Sequence, residues 1–552
     1  MSDPNTAKTL LSVLEDRVIA SPDQVGFFEE YAGSWRPVTY REFSRQVASL
    51  TRFLQEFGIE SGDTVAVMGR PHLMWDLIDK AVMSLGAVVL GLDPHFSPKD
   101  WQELKKALPV KAVLFETHPI FFEVGTKSFL KDILWLSWTE LEKKRHLTPP
   151  NVEDVLSQIP KPSSPATIML TSGTTGPAKA IPFTHEQLFT ACQAAKEALQ
   201  PYSENETCPS TISWLPMHNA TGRLITNVSI ALGVAQYYLS DPTQIMSAIK
   251  QTNPQYLFAP PRLFEKISLS VQEKLREAPL LKRLFLKILK QISFSKTLRP
   301  FTQKPLNPLR HALFGTNMKL LLSGSAPLRP DVVDFFSFIH LPIYECFGMT
   351  EIAALVTINT PHQYRPGSVG KILPCHEYRL AEDQELLIKG STVFKGYVGA
   401  QNEDLFTDDG YYKTGDIAEI HEGFVYLKGR KKEIIKTSTG LRVSPLELEN
   451  HYLQIPGVEQ FIVIGNNRKH LTALIAMSDS WKTHSLDTND YVTKQLAYFG
   501  QSLPKKLRIN RFYPLQKPLG IEEGHLTPSL KLRRQKIEED FAREIDSLYK
   551  SA

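Results

Sequence analysis

The chain has no uninterrupted apolar run near the length that spans a bilayer, so a transmembrane helix is not expected. Its first residues, MSDPNTAKTLLSVLEDRV, are polar and acidic within the opening turns and lack the apolar centre of a secretory signal peptide. Cysteine is scarce. Cys192, Cys208, Cys346 and Cys375 form no CxxC pair and no metal-ligand spacing, which argues against a zinc module and for a reduced compartment. An excess of charge of one sign is also missing. Lys and Arg number 63 against 59 Asp and Glu, a net of +4, too small for nucleic acid to be the main partner. The expectation is a cytoplasmic protein, with peripheral membrane contact left open. What is present is an ordinary globular composition, 42% hydrophobic and 22% charged, at a length of 552 residues that holds about two to four domains.

The stretch that organises the rest is 167–185, TIMLTSGTTGPAKAIPFTH. It begins as an apolar run that reads as a buried strand. The strand empties into Thr171, Ser172, Gly173, Thr174, Thr175 and Gly176, followed closely by Lys179. A loop of small and hydroxyl-bearing residues exposes successive backbone N–H groups and hydroxyls around a concavity, which suits phosphate. Lys179 would add a compact positive charge with three donors. The P-loop is excluded, because Ala178 stands where its second glycine is required. The bland alternative is an ordinary surface turn.

Around this stretch, strands alternate with helices. Strand signals fall at 64–68, 113–115, 133–136, 211–215, 256–259, 319–322 and 343–346, with apolar runs at 87–92 and 228–239. Helix signals fall at 75–85 and 186–199, and before Gly58. This alternation implies an α/β fold with an open sheet covered on both faces. Ligands collect at the carboxyl ends of strands in such sheets. Three strand ends carry glycine with hydroxyls or a carboxylate, at 171–176, at Ser323-Gly324-Ser325-Ala326-Pro327 and at Phe347-Gly348-Met349-Thr350-Glu351, which argues for one shared site; the strand 256–259 ends at Pro260-Pro261. After residue 370 the texture turns to short strands and glycine turns, at 385–389, 410–413, 417–420 and 424–427. A second unit is expected from Gly429, with strand–loop–helix signals at 434–436, 438–440 and 445–452, pairing strands at 461–464 and 471–477, and a charged helix over 530–548. The segment 279–294 stands apart. Its apolar residues Leu280, Leu281, Leu284, Phe285, Ile288, Leu289 and Ile292 share one helical face, with Lys282, Arg283, Lys287 and Lys290 on the rest. The expectation is a core-packed helix with a solvated basic face; contact with a membrane surface or an acidic partner is the alternative.

Four strings point the same way: TSGTTGPAK (171–179), ECFGMTE (345–351), YKTGD (412–416) and GRKKEIIK (429–436). Together they resemble the adenylate-forming superfamily of acyl-CoA synthetases, peptide-synthetase adenylation domains and luciferases. LTPSLKLRR (526–534) and PRLFEKI (261–267) look most like the long-chain fatty acyl-CoA synthetases, and the GD-x-VAVMG pattern from Gly62 extends the match toward the N-terminus. The resemblance implies a large N-terminal domain of stacked α/β sheets with a small β-barrel-like part, residues 1–428, and a small mobile α+β domain, residues 429–552. It implies ATP and Mg2+, a fatty acid activated to acyl-adenylate, and transfer to a thiol of CoA or of a carrier-protein phosphopantetheine.

The resemblance also carries residue roles. The central loop with Lys179 would hold the β- and γ-phosphates, and Glu351 would hold Mg2+, an ion suited to a hard carboxylate and phosphate oxygens. Thr350 would bond the α-phosphate. Phe347 would stack on adenine beside Gly348, with the backbone of Gly324, Ser325 and Ala326 at the adenine edge. Asp416 and Arg430 would bind ribose. Lys531 would bridge the acyl carboxylate and the α-phosphate in the first step, Lys432 would be the hinge, and Lys436 would swing in for the thiol step. Departures are Ala178 and Ala180 beside Lys179, Asn219 where the family commonly has histidine (His218 is one place earlier), and Cys346 where glycine is common. The apolar stretch 227–239 could line an acyl tunnel or be plain core. An acyl-carrier-protein synthetase, a ligase that stops at the adenylate, and a silent nucleotide- or lipid-binding homologue are the rival readings.

Overall fold

Short β-branched runs become fully buried strands where cover is available on both faces. Thr64–Met68 and Val88–Leu92 are buried at every position. The computed structural model describes residues 9–117, 133–147, 160–171, 179–202, 208–276, 279–293, 299–399, 402–478, 481, 488–520, 522–526 and 532–550. Two large sheets carry the N-terminal part. The first has six strands in the order Leu134–Ser137, Val110–Phe115, Thr64–Met68, Val88–Leu92, Pro165–Leu170 and Ala180–Thr184. All its pairings are parallel except the last, a hairpin that sets Met169 opposite Ile181 and Leu170 opposite Ala180.

The second sheet has thirteen strands. Its centre is the parallel set Ala235–Tyr238, Ser210–Ser213, Tyr256–Ala259, Leu320–Ser323 and Ile343–Phe347. It continues without a break into an antiparallel run built from 357–430. Between the sheets lies the helix Leu73–Ser84, buried around its whole circumference. Its charged residues are satisfied internally: Lys80 Nζ lies 2.9 Å from Asp79 and 3.9 Å from Asp76, while Arg223 bonds both Asp79 and Thr167 and Tyr238 donates to Asp76. Buried ions are tolerated only in such paired arrangements. C-terminally, the hairpin Ile435–Lys436 with Arg442–Val443 precedes the helix Pro445–Tyr452. A three-stranded sheet of Val458–Ile464, Thr472–Met477 and Phe512–Leu515 follows.

Most strand signals fall where the sequence places them, and the exceptions have physical causes. The apolar run at 228–239 is two elements. It closes the helix Ala220–Leu232, turns at Gly233 with φ +70°, and reopens as the strand Ala235–Tyr238. Apolarity alone does not separate a buried helix from a buried strand. The two strands expected at 410–413 and 417–420 are one, Tyr412–His421, with a register break at Ile417/Ala418. Within the tail segment 530–548, the described part is two helices, Arg534–Asp540 and Ala542–Tyr549, that break at Phe541. The helix Leu280–Ser293 forms as expected, but its wide apolar face does not pack on the core: Leu280 is 77% and Leu281 82% exposed. Only Leu286 and Leu289 turn inward to the core beneath.

Candidate active site

Parallel register brings Ala259, Ser323 and Glu345 side by side at the carboxyl ends of three adjacent strands. The chain leaves each strand through a constrained turn. Ser325 takes φ +73°, a left-handed conformation uncommon for a residue with a Cβ. Gly348 is sterically required, since a Cβ there would sit 1.4 Å from the Ala354 carbonyl oxygen. Thr350–Ile352 then form a single 3-10 turn, closed by Ala353 and Ala354 at φ +49° and +90°.

The hydroxyl-rich loop is pinned at its two ends. Thr171 N–H donates to the Lys179 carbonyl at 3.0 Å, and the Lys179 N–H returns to Thr171 Oγ1 at 3.4 Å. Ser172, Gly173, Thr174, Thr175 and Gly176 lie outside the described residues, as does Lys531.

From this pinned base Lys179 reaches across, its Nζ 4.6 Å above the ring centroid of Tyr397. Tyr397 in turn donates its hydroxyl to Glu351 Oε1 at 2.8 Å. Burial first, and the Glu351 charge second, push the Tyr397 phenol well above its usual range, so it stays a donor. Asp416 and Arg430 are direct cross-strand partners, with Arg430 Nε 3.1 Å from Asp416 Oδ1. Loss of solvent alone would lower the Arg430 guanidinium, yet Asp416, Glu433 and Glu351 hold it above its ordinary value. Lys179, Glu351, Tyr397, Arg430 and Asp416 thus form one polar cluster. Tyr397 is absent from the residues singled out in the sequence. The signal was its place between glycines in FKGYVG, where Gly396 at φ +133° tucks against Asn402 and Tyr397 N–H bonds Asn402 Oδ1 at 2.9 Å.

Lys432 lies in the 3-10 turn Lys431–Glu433 directly after the strand Phe424–Arg430. Lys436 sits opposite Arg442 in the small hairpin. Its N–H donates to Asn466 Oδ1 at 3.3 Å and its carbonyl accepts from Asn467 N–H at 2.8 Å. In this arrangement the C-terminal segment is held by Arg329, which donates to the Leu453 carbonyl at 2.6 Å, and by an ion pair of Arg262 with Glu459. His218 lies 3.6 Å from Asp93, and its burial lowers the imidazole more than Asp93 raises it. Asn219 stands at the start of the helix Ala220–Leu232 and makes no cap bond through its side chain. The Cys346 thiol is pushed up to about 12 by burial and then by Glu345, so it is an inert lining group rather than a nucleophile.

Along the turn at 348–354 opens an apolar cavity of about 120 Å³, partly open to solvent. Its near end is made by Ser325, Cys346 and Gly348. It follows the sheet from the carboxyl to the amino ends of the strands, along Leu322 and Leu320 and along Phe258 and Tyr256. The helix Ala220–Leu232 forms its other wall, from Thr221 at the near end to Leu232 at the far end, with Val228 between. A second cavity, about 840 Å³, lies in the C-terminal part beside Thr437 and Thr439. It is lined by Arg442, Lys469, Lys505, Lys506, Arg508 and Arg511, with no acidic side chain in the lining.

Among the described residues no group of three His, Cys, Asp or Glu could hold a metal ion. A single carboxylate with few protein partners fits Mg2+, which keeps waters and binds mainly to substrate phosphates. Glu351 meets that description.

The AMP-binding enzyme model matches residues 14–398, and the AMP-binding enzyme C-terminal domain model matches residues 432–552. The chain belongs to the AMP-binding enzyme family, the adenylate-forming ligases. A long-chain-fatty-acid–CoA ligase of Mycobacterium bovis is 26% identical across 96% of this chain and 95% of its own length. A long-chain-fatty-acid–CoA ligase of Xenopus laevis is 21% identical across 99% and 84%. Among solved structures, ATP-bound MatB from Rhodopseudomonas palustris superposes with a TM-score of 0.75 at 21% identity, over 97% of this chain and 99% of that one. The o-succinylbenzoate CoA synthetase of Bacillus subtilis, in complex with its acyl-adenylate intermediate, gives 0.72 at 19%, over 95% and 97%. The fold is therefore that of adenylation enzymes: a mixed α/β structure with a large N-terminal sheet region and a smaller C-terminal one. Among the described residues no helix is long and apolar enough to cross a membrane.

Proposed function

We propose that the protein activates a fatty acid with ATP to an acyl-adenylate and passes the acyl group to CoA. One observation carries the reading: the turn at 348–354 lines an apolar cavity at both its ends and carries between them Glu351, a member of the polar cluster of Lys179, Glu351, Tyr397, Arg430 and Asp416. An apolar tail and a triphosphate would each find a suitable environment within one site.

A carboxylate is a poor nucleophile toward an anionic phosphate, so catalysis consists of positioning and of offsetting charge. The loop from Thr171 to Gly176 and Lys179 hold the β- and γ-phosphates, and Thr350 holds the α-phosphate. Glu351, oriented by the Tyr397 hydroxyl, carries Mg2+, which would supply Lewis-acid neutralisation of the phosphate charge. Phe347 and Gly348, with the Gly324–Ser325–Ala326 backbone, receive adenine. Asp416 accepts from the ribose hydroxyls, and Arg430, its cross-strand ion-pair partner, is the second ribose ligand. Lys531 bridges the attacking carboxylate and the α-phosphate. Rotation at Lys432 then replaces Lys531 with the face bearing Lys436 for the thiol step. A unit of residues 429–552 moving against 1–428 is the form of that rotation. Glu351, Thr350, Lys436 and Lys531 are the groups acting on the reacting atoms.

CoA as acceptor is supported by the basic cavity beside the Lys436 hairpin, since CoA carries three phosphates and the lining carries only positive charge. The test is acid-dependent exchange of pyrophosphate into ATP over a graded series of fatty acids, followed by product formation with CoA or with holo-carrier protein. Exchange that rises with chain length and thioester formation with CoA support the proposal. Exchange without thioester on CoA, but with thioester on the carrier, moves the acceptor to the carrier protein. No exchange with any acid leaves a binding protein.

A further inference from the structure

We infer that the helix Leu280–Ser293 docks the protein on an anionic lipid surface. At 3.6 residues per turn, Leu280, Leu281, Leu284, Phe285 and Ile288 fall within an arc of about 140°. All five are open to solvent, Leu284 at 54%, Phe285 at 52% and Ile288 at 48%, and Phe301 on the following helix adds a sixth exposed apolar side chain at 75%. Large apolar residues exposed singly are ordinary, but a contiguous set rimmed by charge marks an interaction site.

The arc cannot be hidden by a small rotation. Leu289, just beyond the inner border of the arc, is 6% exposed and packs with Leu286 into the core beneath, so turning Leu284 inward would expose Leu289. The apolar stripe is therefore wider than the core can cover, and the protein itself buries only its inner border.

The charge around the arc selects the occupant. Arg283, Lys287 and Lys290 follow one edge of it. Among the described residues none of the three has an ion-pair partner. No Asp or Glu occurs between Glu277 and Asp331, whereas Lys304 and Arg310 extend the basic character beyond the helix. An apolar face bordered by lysine and arginine is what lies in the headgroup boundary of an anionic bilayer, the side chains reaching outward to lipid phosphates while Leu and Phe enter the acyl region. A convex single-helix face suits a deformable lipid surface. The helix is too short to span the bilayer, so the contact lies in the plane of the interface.

The inference does not depend on the fatty-acid reading. It is tested with the full chain by co-sedimentation with vesicles of phosphatidylcholine containing phosphatidylglycerol, against vesicles of phosphatidylcholine alone. Binding is expected to the anionic vesicles, weaker by about tenfold on neutral ones and weakened further by high salt. The double substitutions Leu281→Ser with Phe285→Ser, and Lys287→Glu with Lys290→Glu, should each reduce binding about tenfold or more. Their side chains are exposed, so an unchanged thermal midpoint and circular dichroism spectrum will show that the fold is intact. Vesicle binding that both variants retain overturns the inference. So does an absence of vesicle binding, whether the same variants convert a dimer to monomer or cost affinity for an acidic carrier protein.

Discussion

Leu232→Trp asks whether the apolar cavity sets acyl length. Leu232 ends the helix Ala220–Leu232 at the far end of the cavity, away from Ser325 and Gly348. The indole adds the bulk of roughly two to three methylene groups, directed into existing space, so overpacking should cost at most about 1 kcal/mol of stability. A long acyl chain would then lose the burial of two to three methylenes at about 0.8 kcal/mol each. The sum, about 2 kcal/mol, corresponds to a fall of roughly 30-fold in kcat/KM for the longest acids. Acids that end short of residue 232 should be unaffected. The assay is acid-dependent pyrophosphate exchange over a graded series of saturated acids, comparing the variant with the parent at each length. A uniform loss at all lengths would mean that the substitution damaged the site or fold. An unchanged profile would mean that the acyl chain runs elsewhere. Either result refutes the cavity as the length gauge.

Three further outcomes are expected. Tyr397→Phe removes the donor to Glu351 but keeps the ring under Lys179; the lost charge-assisted bond, about 2 kcal/mol, should weaken apparent Mg2+ affinity in the exchange assay. Tyr397→Leu should cost more, and equal behaviour of the two would show that the ring contributes nothing. Lys531→Ala should abolish adenylation while preformed acyl-adenylate still reacts with CoA; normal exchange in that variant would remove Lys531 from the first step. Glu345 is nearly buried, and burial raises its carboxyl to about 7 against the ordinary 4.5, opposed by a bond from the Leu328 backbone. Between pH 4.5 and 7 the folded state thus holds a proton that the unfolded chain has lost, so this group's stabilisation is complete below about 4.5 and gone above about 7. Glu345→Gln should therefore gain stability over the parent as pH rises across that window, by up to about 3 kcal/mol. Urea midpoints at pH 5 and pH 8 measure it, and the same difference at both values would refute the protonated state.

What the sequence determined is local and chemical. Strands at 64–68 and 256–259 are legible because β-branched or aromatic runs bounded by turn residues have few other fates. The strand ends at Ser323 and Phe347 were expected to share a site because ligands collect at carboxyl ends of strands, and the parallel register sets these two strands side by side. The family resemblance of the strings around Lys179, Glu351, Asp416 and Arg430 implied phosphate and ribose roles, and these four residues fall in one polar cluster. What only the tertiary structure decided is how far-separated groups meet and which faces remain open. Tyr397 joins Lys179 to Glu351 although 46 residues separate Tyr397 and Glu351, a pairing that no local pattern encodes. The ions Asp76, Asp79 and Lys80 sit on a helix buried all round; Arg223 and Tyr238, brought by the helix Ala220–Leu232 and the strand Ala235–Tyr238, make their burial tolerable. The outward apolar arc at 280–288 was read as core because periodicity gives a helix its faces but not the direction in which they point. That direction depends on which other surfaces compete for the core, and there Leu286 and Leu289 already fill it.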